Sequence, residues 1–305
     1  MDSMETGSSA ASRQHVAVMV EEVVGLVRAS NPIVVVDATV GTGGHAEAIL
    51  DATNAHLIGL DRDSAVLQIT AERLARFGGR VSLRQADFAA IGEALDEAGA
   101  PGVGAIVVDL GMSSFALNDP RRGFSFMAEG PLDMRMDERQ PLRAYDLVNE
   151  ETEEELARII QEYGEEHGAR RIARSLVVAR RRRPLETTTD LRAAIEAAVG
   201  GRRHGGISPA TRTFQAIRMA VNREMASLAT LLTIGPSRLT IGGRMIVLAY
   251  HSLEDRPVKQ RFRELTDSGV FAAITRRAQR PTADEVARNR RARSARLRCI
   301  ERKPN

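Results

Sequence analysis

The sequence predicts an α/β protein, a mostly parallel sheet with helices on both faces, interrupted by an inserted helical domain. Three observations carry this. Four apolar runs, at 33–38, 56–61, 81–87 and 104–111, alternate with amphipathic stretches. Strands that read as continuous hydrophobic runs between helices belong to parallel sheets buried on both faces. The alternation stops after Asp109 and resumes only with GGRMIVLAYH (242–251), and most of what lies between has helical spacing. The chain has 305 residues, 43% of them hydrophobic, enough for one large domain with an insertion.

Taken in order, residues 1–14 are small and polar and read as a disordered tail. HVAVMVEEVVGLV, from His15, has apolar residues at helical spacing. IVVVDA (33–38) is a buried strand, GTGGH a glycine turn and AEAIL a helix. HLIGLD (56–61) is a second strand, followed by the helix SAVLQITAERLARF. VSLRQAD (81–87) is a third, with a short helix IGEALDEAG (91–99), and GAIVVDLG (104–111) is the fourth. Residues 112–150 are irregular, with NDP, RRG and EGP turns. Three helices follow with no strand between them: TEEELARIIQEYG, ARRIARSLVVARRRR and TTDLRAAIEAAVG. One long helix, TRTFQAIRMAVNREMASLATLL, leads back to the sheet. After the fifth strand come a helix, EDRPVKQRFREL, and a basic segment ending in LRCIER (297–302). The expected division is a discontinuous sheet domain, 15–114 with 211–305, and an insertion, 115–210.

Composition excludes several classes. A single cysteine, Cys299, rules out a disulfide framework and a cysteine-rich metal site. No run reaches the length of a membrane span, and the N-terminus has no apolar signal core, so the expected location is cytoplasmic. Of 43 basic residues only Lys259 and Lys303 are lysines. Codon bias explains an arginine excess on composition alone; phosphate recognition by the guanidinium fork is the sharper reading, which clustering must decide. The clusters are Arg170-Arg171 with Arg174, Arg180 to Arg183, Arg202-Arg203-His204, and the C-terminal NRRARSARLR.

The chemistry concentrates at strand ends. Four successive strands each finish in an acid, Asp37, Asp61, Asp87 and Asp109, and ligands of open α/β sheets bind outside those carboxyl ends. Gly41, Gly43 and Gly44 form a turn opening a helix, and Asp61 lies twenty residues beyond Gly41, where a ribose-binding carboxylate belongs. Phe88 offers an adenine ring an aromatic edge. Single acids of this kind are usually helix caps, but four in register with a glycine turn resemble class I S-adenosylmethionine-dependent methyltransferases. The turn lacks the full G-x-G-x-x-G spacing of a dinucleotide site, which leaves NAD, and an oxidoreductase, as the lesser alternative.

Longer blocks narrow the resemblance. HVAVMVEEVV, DLGMSSFALNDPRRGFSFMAEGPLDMRMD (109–137), SPATRTFQAIRMAVNREM (208–225), HSLEDRPVKQRF (251–262) and RARSARLRCIER (291–302) resemble the bacterial 16S ribosomal RNA (cytosine-N4)-methyltransferase family, also called RsmH or MraW, from about His15 to Arg302. The resemblance implies a Rossmann-like methyltransferase domain with an inserted substrate-recognition domain. The implied reaction is methylation of the exocyclic N4 of a cytidine in the decoding centre of 16S rRNA, within the small ribosomal subunit. It carries S-adenosylmethionine contacts onto Gly43, Gly44, His45, Asp61, Phe88 and Asp109. Where the family has proline and a cofactor-contacting glutamine, this chain has Phe115 and Ala116, with Asn118 as a substitute for the lost amide. The family's usual Ser-Phe is here Ala249-Tyr250, and a common proline is Arg290. A non-catalytic RNA-binding or assembly factor on the same fold is a further alternative.

Asp109 is the expected catalytic group, positioning cofactor or amine. His251, at the end of the fifth strand, is the second, against the plainer reading that it only precedes a capping box Ser252 to Asp255. Phe115, Phe124 and Phe126 are expected to wall a pocket for an unpaired cytidine or to pack in the core. Leu132, Met134 and Met136 alternate with Asp133, Arg135 and Asp137, which favours packing and ion pairs over a metal site. The glycine- and methionine-rich stretch 123–137 reads as a lid or hinge.

Overall fold

The structure, a computed structural model, describes residues 17–112, 114–199 and 208–304. The expected tail, the start of the opening helix at His15 and the Arg202-Arg203-His204 cluster lie outside the described residues. The apolar runs become strands β1 (Val34–Asp37), β2 (His56–Asp61), β3 (Val81–Gln85), β4 (Val103–Asp109) and β5 (Leu239–Ala249). Two more, β6 (Phe271–Ala273) and β7 (Arg296–Arg302), complete one sheet of order β3-β2-β1-β4-β5-β7-β6. Pairs among β1 to β5 are parallel, and β7 runs antiparallel between β5 and β6. The chain builds outward from β1 to β3, then crosses back to lay β4 on the other side of β1. Their diverging carboxyl ends open a crevice at this switch point.

β7 was hidden by its charges: Leu297 and Cys299 face the core while Arg296 and Arg298 both grip Asp255. A period of two was present, but alternate arginines read as a basic tail.

The helices are α1 (Val20–Ala29), α2 (Gly44–Ala52), α3 (Ser64–Leu74), α4 (Ile91–Glu97) and the short α5 (Ser114–Asn118) and α6 (Ala144–Glu150). Then come α7 (Glu153–Gly164), α8 (Ala169–Arg180), α9 (Thr188–Val199), α10 (Pro209–Val221), α11 (Glu224–Ile234), α12 (Ser252–Asp267) and α13 (Ala283–Arg288). The single long helix expected over 211–232 is two. Arg223 takes a left-handed conformation (φ 49°), and Asn222 leaves the helical pattern to serve the insertion. Its amide donates to the Met134 carbonyl and its oxygen accepts the Met136 N–H, both at 2.7 Å. Tertiary hydrogen bonds outweigh the helical propensity of the segment.

The helical block has its own core, with Ile160, Ile172, Leu176, Ile195, Phe214 and Ile217 buried together. α10 belongs to this core, so packing moves the block's edge past the expected boundary at 210. Phe124 joins it, and Phe126 meets Phe214 edge to face at 5.1 Å. These two phenylalanines therefore pack the insertion and do not wall a base pocket.

The stretch 123–137 is likewise a strap rather than a lid. A Cβ on Gly123 would fall 2.0 Å from the Pro131 carbonyl oxygen, and one on Gly130 1.8 Å from that of Pro120. Met134 is wholly buried, and the N–H groups of Leu132 and Met134 donate to Glu186 and Arg122 carbonyls. Asp133 pairs with Arg135 as expected, but Asp137 pairs with Arg139.

Candidate active site

A cavity of about 420 Å³ occupies the switch point, within the range of small-molecule sites. Its floor is the glycine turn between β1 and α2, and its sides are the ends of β2, β4 and β5. Gly41 takes positive φ (51°) and its N–H donates to Asp61 at 3.0 Å; the other Asp61 oxygen accepts the Asp63 N–H at 2.9 Å. A strand-end acid thus ties the turn into shape while facing the cavity. Gly44 opens α2 where a Cβ would lie 2.8 Å from that of Ala17, so the segment before α1 can close over the turn. Gly43 supplies φ 82° and points toward Thr70; it shapes the turn without lining the cavity.

His45, buried in the first turn of α2, donates from Nε2 to the Val18 carbonyl at 2.8 Å. That bond leaves Nδ1 facing Asp109 Oδ2 at 3.8 Å. The other oxygen, Asp109 Oδ1, accepts the Tyr250 hydroxyl at 2.6 Å, and the Asp109 N–H donates to Thr39 at 2.7 Å. β1, β4 and β5 thereby fix one carboxylate at the centre of the edge.

Burial governs the charges. It lifts Asp37, 1% exposed, to about 7 against the partial opposition of His45 and the Thr39 N–H, and one Asp37 oxygen has no partner. Burial lifts Asp61 to about 6, with the N–H groups of Asp63 and Gly41 pulling the other way. Asp109 is raised by burial as well, and Glu254 adds to the rise while His45, Tyr250 and Arg291 resist it. Burial in turn pushes the Tyr250 hydroxyl up, and Asp109 adds to it, so Tyr250 stays a donor.

Of the four strand-end acids, Asp61 and Asp109 line the cavity. Asp37 lies beneath it. Asp87 is turned away, accepting from Arg62 and, at 2.7 Å, from the Ser227 hydroxyl, and capping the next turn through the Ala89 N–H. Phe88 lines the cavity, and the Arg62 guanidinium stands 5.5 Å from its ring centre. Ala116 is in the wall, whereas Phe115 and Asn118 do not line the cavity.

His251 lines the cavity and is itself the N-cap of α12. Its Nε2 lies 2.9 Å from Glu254, an ion-pair distance, although the ring is turned so that neither nitrogen has an aligned hydrogen bond. Burial pushes the Glu254 carboxyl up, but His251 and the Tyr250 N–H hold it below the usual range. The expected capping box is absent: the Ser252 hydroxyl donates to Glu165, and Asp255 is held by two arginines. Sequence reasoning did not place Tyr250 in the cleft, and it read Arg291 only as part of the C-terminal basic cluster. The strand-end rule reaches Tyr250, one residue past β5, but Arg291 arrives through the return of β7, and no local signal in its basic cluster points to the cleft.

A parallel sheet of this order with an antiparallel β7, and a carboxylate-lined cleft at its switch point, define a class I Rossmann-like methyltransferase. The chain belongs to the MraW methylase family, whose family model matches residues 12–303. A ribosomal RNA small subunit methyltransferase H of Sorangium cellulosum is 46% identical over 95% of this chain and 91% of its own length. Proteins of the same name from Syntrophotalea carbinolica (46%, covering 95% and 98%) and Acidothermus cellulolyticus (45%, covering 94% and 93%) are similar throughout.

Proposed function

We propose that this chain methylates the exocyclic N4 of a cytidine in small-subunit ribosomal RNA, at the decoding centre, using S-adenosylmethionine. The observation that carries the reading is Asp109: one carboxylate, held by the Tyr250 hydroxyl and the strand edge, facing a cavity at the switch point of a methylase-family fold.

The residues fit this cofactor. Asp61 keeps lone pairs for ribose hydroxyls, Phe88 gives an apolar edge for a base, and His45, Gly44 and Asp109 surround the space left for the methionine part. Carboxylates around the turn suit a cation and oppose a dinucleotide. The Gly41 and Gly43 N–H groups that would bind a pyrophosphate already donate to Asp61 and Val40. When bound, the cofactor supplies a methyl group on positively charged sulfur, an electrophile that needs no metal.

The amine is the harder partner, because the N4 lone pair is delocalised into the ring. Asp109 accepts an N4 hydrogen, favours the pyramidal nitrogen and fixes its approach. Tyr250 holds the carboxylate in that orientation. His251, paired with Glu254, closes the wall on the nucleotide side and contacts the RNA. The helical block and its arginines position the RNA. Among the described residues no helix is long and apolar enough to cross a membrane.

The test is transfer of labelled methyl from S-adenosylmethionine to small subunits lacking the modification, with nucleoside digestion and mass spectrometry. N4-methylcytidine in a single RNA position is expected. Label on another base, or cofactor binding with no transfer, would overturn the assignment.

A further inference from the structure

Most arginines in this chain are already committed. Arg62, Arg73, Arg122, Arg135, Arg218 and Arg244, for example, each hold a carboxylate. Arg290, Arg291 and Arg293 belong to the uncommitted minority, as do Arg170, Arg171 and Arg174 of α8. The first three stand on one 3-10 turn, Arg290–Ser294, between α13 and β7, all exposed, and none makes a side-chain hydrogen bond or an ion pair within 4 Å to a described residue.

The turn that carries them is rigid. Ala292 and Ala295 are wholly buried in the core beside α1. The N–H of Ala292 donates to the Asn289 carbonyl at 3.0 Å, and that of Ala295 to the Ala292 carbonyl at 2.8 Å. The Asn289 side chain accepts the Arg291 N–H at 3.2 Å, capping the turn. Buried alanines anchor the backbone and the intervening arginines are presented outward.

Position gives them a use. Arg290, Arg291, Arg293 and Ser294 wall a shallow hollow, and Arg291 also lines the cofactor cavity, where it is in the field of Asp109 and Tyr250. The basic hollow therefore adjoins the cleft across Arg291, on the Asp109 side, where a nucleotide must present its amine. Three guanidiniums with no ion-pair partner within 4 Å among the described residues, placed within four residues, concentrate positive charge at one spot on the surface. Planar forks match phosphate oxygens in pairs.

We infer that the Arg290–Ser294 turn is a phosphodiester clamp that holds the RNA strand next to the target nucleotide. It fixes the strand's register and reads no base. The inference rests on the reading that RNA enters this cleft, and it deepens that reading by naming the surface that guides it.

The test uses the full chain with Arg290→Gln and Arg293→Gln together; Arg291 is left intact because it faces the cleft. Binding to a labelled small-subunit RNA fragment is measured by filter retention from about 50 to 300 mM salt, beside wild type. Two single-strand phosphate contacts contribute about 1.4 to the slope of log affinity against log salt, and the variant is expected to lose that much, with affinity roughly tenfold weaker near 100 mM. Cofactor affinity and melting temperature are expected to stay unchanged. An unchanged RNA slope and affinity would overturn the clamp. So would a loss of cofactor affinity alone, which would assign these arginines to the cleft. Equal competition by polyglutamate at the same salt would assign them to an acidic protein and overturn it as well. Because binding is read without turnover, failure of wild type to transfer methyl would count against the proposed reaction and not against the clamp.

Discussion

Acids in the helical block and acids in the cleft are treated in opposite ways. In and around the block, Asp133, Asp137 and Asp146 each sit in the fork of an arginine two or three residues away, and Arg158 grips Glu155. Those forks hold all four carboxyls below their usual range; for Asp133 they do so against burial. At the cleft, Asp37 buried beneath it and the half-buried Asp61 and Asp109 lining it are raised, and given N–H or hydroxyl donors but no guanidinium within salt-bridge reach. Arginine is abundant throughout the chain, so its absence from these three carboxylates is informative. Buried, uncompensated charge weakens a fold and is kept where a ligand will supply the missing partner.

Changes on the two sides of this contrast should differ in kind. Asp109→Asn keeps the shape and removes the acceptor charge; methyl transfer is expected to fall roughly hundredfold or more, while cofactor affinity measured by calorimetry changes less than tenfold. A variant that transfers at the normal rate would remove Asp109 from the site. Tyr250→Phe deletes one hydrogen bond to a charged group, and about a tenfold loss in kcat is expected. Since the lost bond helped to keep the Asp109 pKa down, the acid limb of the pH–rate profile should also move to higher pH. An unchanged profile would make Tyr250 a packing residue. Asp133→Asn should do the reverse: transfer unaffected, and stability in urea lower by about 1 kcal/mol at neutral pH. Its lowered pKa means that this stability is present above the unfolded value and disappears as pH falls through the folded one, so the variant and wild type should converge in acid.

How much of this was readable beforehand depends on how local the signal is. β2 starts and ends where HLIGLD does, because a buried parallel strand between turns is a purely local pattern. Asp61, Phe88 and Asp109 reached the cavity because strand ends converge in any such sheet. β7 was missed because its charged face pairs with α12, a contact 41 and 43 residues back, roughly 140 Å along an extended chain, and invisible in sequence. The break at Asn222 was missed for a similar reason: its partners are Met134 and Met136, far back in the chain. Asp87 shows the limit of counting acids, since its position was right and its side chain was claimed by Arg62 and Ser227. Tyr250 and Arg291 complete the site through β5 and the turn before β7, and only the assembled sheet brings them to Asp109.

The carboxylates at the cleft are left without a guanidinium partner, and a cationic ligand supplies the missing charge. Asp37 and Asp61, raised to about 7 and about 6, contribute stability that is fully present below their unfolded values and lost as pH rises through those folded values. Ionisation over the same window should strengthen binding of the cofactor. The direct measurement is calorimetric titration of S-adenosylmethionine at steps from pH 5 to pH 8.5, for wild type and Asp61→Asn. Affinity in wild type should rise across pH 6 to 7, and the rise should be shallower in Asp61→Asn. A wild-type affinity that is flat over that range, or that falls as pH rises, would contradict the account.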